Sequence, residues 1–337
     1  MTWLMAGAAI LVATAFALSL LMALPAAAVA ETAGEFHAAS RARVWLASLI
    51  LPPVVGIGAS LLAYSLHGEG VAASPHIAGL RPHLCLLPLL NAPAGAFAMR
   101  AFGWLALLLM CVALIRLIAT IIGSHLLRRM MLSSGVPLEE EAEDVLLVDL
   151  DRSVSFNAGL LRPVIVVSSS LRSSLDSAEL AAIVAHERAH ARRFDNLMRL
   201  VAEVCATVQA LSPPAWYYRD RLREAQETAA DDAAILMGVS PVVLKNALAV
   251  AGEATRSRPA TPSIATLLIP APALIDLRRR RLECISVEAE TAASHPWRGM
   301  AAAVVGLVVV ALLLIAARRP VDDTLFCAFE QLIAALN

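Results

Sequence analysis

DSAELAAIVAHERAHARRFDN, residues Asp176 to Asn196, is the stretch from which the rest of the chain can be read. Asp176 followed by Glu179 is a D-x-x-E capping box, so a helix starts here. Inside it, His186-Glu187-Arg188-Ala189-His190 reads H-E-x-x-H. Histidines four apart on a helix share one face, so both imidazoles can reach one metal ion, with Glu187 beside the water held there. The spacing predicts metal-assisted hydrolysis of a peptide bond, in which a bound zinc ion supplies an acidified water and a polarised carbonyl. Glu187 would take the proton as general base and pass it to the leaving amine. Arg188, Arg192, Arg193 and Asp195 crowd the same stretch. Charges packed this closely are costly in lipid, so the helix is expected in water and not inside a membrane span.

A catalytic site of this kind needs a third protein ligand and an open fourth position. Further along, Glu227 is followed one helical turn later by Asp231. E-x-x-x-D fits a carboxylate ligand backed by a carboxylate that orients a ligating histidine. Glu224 competes for the ligand position, without a matching aspartate, and a solvated helix face is the bland alternative for Glu227 and Asp231. Tyr217 and Tyr218 are candidates for stabilising an oxyanion, or simply surface or core aromatics.

Around these residues lies the only region of soluble-domain composition, roughly Leu127 to Pro296. Glu139, Glu140, Glu141 and Glu143 open it and read as a solvated face. Short β-type runs at Val145 to Val148, Ser153 to Phe156 and Val164 to Val167, with turn residues Asn157, Gly159 and Pro163 between them, predict a small antiparallel sheet. Helices are expected from Asp176, over about Asn196 to Ala210 with Pro213 and Pro214 ending it, and from about Trp216 to Met237 before Gly238. The Pro-, Ser- and Thr-rich stretch Arg256 to Pro272 reads as a loop.

With 59% apolar residues, 16% charged residues and a mean hydropathy of +0.71, the 337-residue chain is too oily for an ordinary soluble domain. A spanning helix needs about 20 apolar residues. Four stretches qualify: Trp3 to Leu24, Val44 to Leu66 with Pro52 and Pro53 inside it, Ala101 to Ile122, and Met300 to Ala316. Arg116 lies within the third and is read as snorkelling toward its Arg128 end. The fold class is therefore mainly α, of α+β type. A four-helix transmembrane region receives the catalytic domain between its third and fourth spans: 1–126 membrane region, 127–296 catalytic domain, 297–317 fourth span, 318–337 short tail.

Arg41, Arg43, Arg128, Arg129, Arg278 to Arg281 and Arg298 favour an outside N-terminus and a cytoplasmic catalytic domain in the cell inner membrane; Arg318 and Arg319 disagree. A rival reading makes the first segment a cleaved signal peptide ending at Ala28-Val29-Ala30. The net charge of -1 and the lack of a basic stripe give no reason to expect nucleic-acid binding. The partners expected are the bilayer and a protein substrate, with oligomeric state open. Cys85, Cys111, Cys205, Cys284 and Cys327 show no C-x-x-C spacing and read as small buried hydrophobes. Only Cys85 and Cys327 would share the outer side, where they could pair.

The run Gly159 to Val167, then Leu180 to His190, Arg192 to Leu197, and Arg223 to Asp231 resembles the BlaR/MecR-type membrane zinc metallopeptidases. The resemblance covers about Leu127 to Arg281, and the membrane helices by layout. It implies a zincin-like catalytic domain holding one zinc ion through His186, His190 and Glu227, with Glu187 as base and Asp231 and Asp195 behind the ligands. Asn157-Ala158 is similar to an edge-strand element on which related zinc peptidases pair substrate backbone; an asparagine in a turn is the alternative. The family often has Cys where Ala230 stands. Its antibiotic-sensing members carry a penicillin-binding domain after the last span, whereas this chain ends at Asn337, so β-lactam sensing is not expected. By analogy, the substrate would be a transcriptional repressor cut in regulatory signalling. A housekeeping protease of the quality-control or prenyl-processing kind and a non-catalytic metal-holding sensor are the rival functions.

Overall fold

A computed structural model describes residues 2–23, 25–27, 38–68, 93–138, 144–256, 276 and 278–283. The expected fourth span, the acidic run at 139–143, most of the 256–272 loop, the tail, and Cys85, Cys284 and Cys327 lie outside those residues. Three long helices come first: α1 (Thr2–Leu21), α2 (Ala38–Gly68) and α3 (Pro93–Ser134). Each contains a window apolar and long enough to cross a membrane: Leu4–Leu21, Ala38–Leu61 and Arg100–Ser134. The helices pack through small residues. Ala6, Ala9 and Val12 of α1 are buried with Ala106 of α3. At Gly56 of α2 a Cβ would stand 2.7 Å from the Leu11 carbonyl oxygen, so only glycine lets α1 and α2 approach this closely. Ser60 Oγ adds a hydrogen bond to the Gly7 carbonyl at 2.9 Å.

A four-stranded sheet follows, with β1 (Val136–Pro137), β2 (Val145–Val148), β3 (Ser155–Ala158) and β4 (Val164–Ser168) in the order β1-β2-β4-β3. The expected antiparallel sheet is corrected here to a mixed one. β1 with β2 and β3 with β4 are antiparallel, but β2 and β4 run parallel. A parallel pair needs the chain to travel back between its two strands. β3 is that return, laid along the far edge of β4. Alternation along each strand then covers both faces. Val145, Ile165 and Val167 pack against Leu180, Ile183 and Val184, while Leu146, Val148 and Val166 pack against Met131 at the end of α3.

The remaining helices are α4 (Ser169–Ser174), α5 (Ser177–Arg192), α6 (Asp195–Val208), α7 (Pro213–Leu236) and α8 (Pro241–Arg256). The capping box forms as read: Asp176 accepts from the Glu179 amide at 2.7 Å, and Glu179 accepts from the Asp176 amide. Pro213 and Pro214 open α7 at its first positions, where a missing N–H costs nothing. The sequence reading used them only as the end of α6. Gly238, at φ 96°, follows the C-terminal end of α7. α6 and α7 rest on the long N-terminal helices through a shared core in which Trp45 and Leu49 of α2 meet Ala202, Ala206, Tyr218 and Leu222. Tyr218 donates to the Ser19 carbonyl at 3.1 Å, and Ser212 bonds Ser19 Oγ at 2.9 Å. Arg116 also belongs to this interface. It donates to Thr207 Oγ1 at 2.9 Å instead of snorkelling, because α6 brings a hydroxyl within reach.

Candidate metal centre

α5 and α7 pack side by side, and each turns its polar stripe toward the other. His186, Glu187 and His190 sit on the inner face of α5, and Glu227 and Asp231 on that of α7; all five are buried. His186, His190 and Glu227 each offer a ligand atom within 4.8 Å of the others. The two imidazole Nε2 atoms lie 3.1 Å apart. Glu227 Oε2 is 3.5 Å from His186 Nε2, and its Oε1 is 3.6 Å from His190 Nε2.

The outer nitrogens fix the rings. His186 Nδ1 lies 3.0 Å from Asp231 Oδ1, and His190 Nδ1 lies 2.7 Å from Asp195 Oδ2. A proton on each Nδ1 donates to its carboxylate, which leaves both Nε2 lone pairs facing one point. Asp195 reaches His190 because the chain turns sharply between α5 and α6, with Phe194 in the left-handed conformation at φ 55°. Such a φ is strained for a phenylalanine.

The donor set fits a divalent cation. Two imidazoles and a carboxylate converge in a buried space, where the Arg278 guanidinium, 3.3 Å from His186 Nε2 and 3.0 Å from Glu227 Oε2, already supplies positive charge. Charge agrees with that. Glu187, Asp195, Glu227 and Asp231 are opposed by Arg193, Arg199 and Arg278, so one negative charge is left over when the histidines are neutral. Burial opposes protonation of His190, but the Glu227 charge and the hydrogen bond to Asp195 outweigh it and lift the ring to about 9. Burial likewise opposes the charged carboxylates. His190 beside Glu227, and Arg278 beside Asp231, win and hold both acids below their ordinary range.

Glu187 is held apart from the ligand atoms by β3. Asn157 Nδ2 donates to Glu187 Oε2 at 2.8 Å and to its carbonyl at 2.9 Å, and Ser155 Oγ donates to Oε1 at 3.0 Å. Asn157 and Ala158 lie on β3, an edge strand, two residues beyond where the sequence reading ended that strand. The Asn157 and Gly159 carbonyls accept from Asn196 Nδ2 at 2.8 and 3.1 Å. Gly159, at φ 115°, turns the chain where a Cβ would stand 3.1 Å from the Arg162 carbonyl.

Sequence reading missed several partners. Arg199 donates to Glu227 Oε1 at 2.6 Å, and its only sequence signal is the three-residue step from Asn196 along α6. Arg278 is 2% exposed, spans Asp231 with bonds of 2.6 and 2.8 Å, and reaches Glu227 Oε2 at 3.0 Å. The sequence reading took it only as a charge approaching the last span. Nothing in the pattern distinguishes Arg278 from its neighbours Arg279 and Arg280. Glu224 pairs with Arg221 at 2.7 Å on the outer side of α7 and is not in the cluster. Tyr218 is spent on Ser19, and the half-exposed Tyr217 takes a bond from Arg221. The free cysteines Cys111 and Cys205 have no part in the cluster.

Compared with known proteins, residues 89–242 match the family model described as BlaR1 peptidase M56. The match runs from just before α3 into the start of α8, and includes the histidine pair, Glu187, Glu227 and Asp231. It bears out the family resemblance read from the residues, and that family is one of membrane metallopeptidases. No curated protein and no solved structure matches the chain.

Proposed function

Taking that family match as premise, we propose that the protein is a zinc-dependent endopeptidase of the inner membrane that cuts a protein substrate in regulatory signalling, a transcriptional repressor by family analogy. One observation carries the reading: His186 and His190 turn both Nε2 atoms toward Glu227 while Asp231 and Asp195 hold their other nitrogens. Bound between them, a zinc ion supplies Lewis acidity toward a water and a peptide carbonyl. Glu187 is the proton carrier. Ser155 and Asn157 fix its carboxylate, so it accepts a proton from the attacking water and delivers it to the leaving amine without reorienting. Arg199 and Arg278 keep Glu227 ionised and ready to ligate.

Arg41 and Arg43 after α1, with Arg128 and Arg129 in the last turns of α3, support a cytoplasmic catalytic domain. The packing of α1 against α2, and its bonds to Ser212 and Tyr218, support a retained first helix instead of a cleaved signal.

The test compares the full-length wild type with Glu187→Gln in detergent and in cells. Glu187→Gln is expected to hold one zinc ion per chain while its turnover falls by about 10²–10⁴-fold, and protein N-termini generated by the wild type should disappear from the proteome. Undiminished cleavage by Glu187→Gln would overturn the assignment.

A further inference from the structure

Basic side chains gather where α2 begins beside α7. Arg41, in the first turn of α2, feels most strongly the charges of Arg281, Asp232, Glu224 and Arg221. Both carboxylates are already held by the other arginines: Arg281 bonds Asp232 at 2.7 Å, and Arg221 bonds Glu224 at 2.7 Å. Three guanidinium charges thus meet two carboxylates, which leaves one positive charge over. Arg41 Nε and one terminal nitrogen of Arg281 are buried and find no acceptor among the described residues. Buried donors left unpaired are costly, so an acceptor belongs here.

The surroundings say what carries that acceptor. Arg41 and Arg43 stand at the head of the apolar window Ala38–Leu61. One turn past Arg41, Trp45 stacks on Tyr218 with ring centroids 5.8 Å apart and meets the half-exposed Tyr217 edge-on at 5.6 Å. Arg221 covers the Tyr217 ring, its Cζ 5.3 Å from the centroid. Tryptophan and tyrosine beside arginine mark the depth of lipid head groups. The exposed Arg43 shares its helix face with the exposed Val54, Ile57 and Leu61, at steps of eleven, three and four. Val54 lies about 16 Å along the helix from Arg43, half the hydrocarbon thickness of a bilayer. A chain lying on that stripe, with its anionic end at Arg41 and Arg43, is one leaflet long.

We propose that Arg41, Arg43 and Arg281 bind the phosphate of an anionic phospholipid whose acyl chains lie along α2 from Ala47 to Val54. The surplus charge selects a lipid of net negative charge over a zwitterionic one, which would bring its own cation to a site already positive. Position adds a consequence. Arg281 stands one turn beyond Arg278 in the helical segment 278–283, and Asp232 follows Asp231. The lipid therefore contacts both elements that carry the bond between Arg278 and Asp231. The proposal needs the membrane reading of α2 and no peptidase activity.

Full-length protein in mild detergent is titrated with phosphatidylglycerol, phosphatidylcholine or inorganic phosphate, and bound lipid is read by native mass spectrometry. Wild type is expected to hold phosphatidylglycerol about tenfold or more tighter than phosphatidylcholine, with millimolar phosphate unable to displace it. Arg41→Gln and Arg43→Gln should each lower phosphatidylglycerol binding about fivefold, leaving phosphatidylcholine binding and zinc stoichiometry as in wild type. Arg43 is exposed, so its variant keeps the test sound if Arg41→Gln fails to fold. Arg152→Gln, at an exposed arginine between β2 and β3, should bind both lipids as wild type does. Equal binding of the two lipids by wild type, displacement by phosphate, unchanged binding by folded Arg41→Gln and Arg43→Gln, or an equal loss in Arg152→Gln would each overturn the proposal.

Discussion

At the residue scale, the cluster is organised by what each imidazole does with its second nitrogen. His190 is the sharper case. Its ring is lifted to about 9 in the metal-free protein, so at pH 7 it carries a proton that an arriving metal must displace. Metal binding is expected to release about one proton, and apparent affinity to fall roughly tenfold for each pH unit below about 9. Calorimetry in buffers of different ionisation enthalpy measures this directly; binding with no proton release between pH 6.5 and 8 would contradict it. The sign for stability is opposite. A raised ring pKa stabilises the metal-free fold fully below the ordinary value of 6.5, and that contribution is lost as pH rises through about 9.

These residues also divide what could be read from sequence from what could not. His186, Glu187 and His190 announce themselves because their spacing matches a helical turn, and Glu227 with Asp231 repeats that logic. Arg199, Arg278 and Ser155 carry no such signature. Each acts through a contact made only after distant elements pack, and an arginine that bonds a buried carboxylate looks in sequence like one that bonds water.

At the element scale, the local rules held where chain chemistry is local. The capping box at Asp176 and Glu179 is one such rule, because both partners lie within one turn. Asp176→Ala should remove that cap and cost about 1 kcal/mol of stability, read as a lowered melting temperature with zinc stoichiometry unchanged, since the cap lies ten residues before His186. Loss of zinc in that variant would mean that the start of α5 sets the angle of the histidines.

Direction in the sheet was not legible. Alternation marks Val145 to Val148 and Val164 to Ser168 as strands whichever way they run, so the parallel pairing of β2 and β4 emerges only when β3 takes the edge. That edge matters to the site. It puts Asn157 opposite Glu187, a relation that a reading of turns and strands could name but not aim.

At the scale of the whole molecule, a cation held by His186, His190 and Glu227 would link α5 and α7, while Trp45 and Tyr218 tie α7 to α2. Removing zinc should therefore loosen more than the site. In detergent, a chelator is expected to lower the melting temperature, and zinc restored at about a thousand times its dissociation constant to return about 4 kcal/mol. An unchanged melting curve would show that Arg278 and Arg199 hold the helices together without the ion.

The length of α3 carries a last consequence. Its 42 residues extend about 63 Å, roughly twice the hydrocarbon thickness of a bilayer. Counted from Arg100, some 20 residues use up the oily layer near Thr120, and the rod continues to Ser134 with the sheet leaning on its upper part. On the peptidase reading proposed above, the metal centre would then stand near the level of the lipid head groups. A substrate would have to come down flush with that surface, and one already moored there by a few residues would have its search reduced to two dimensions.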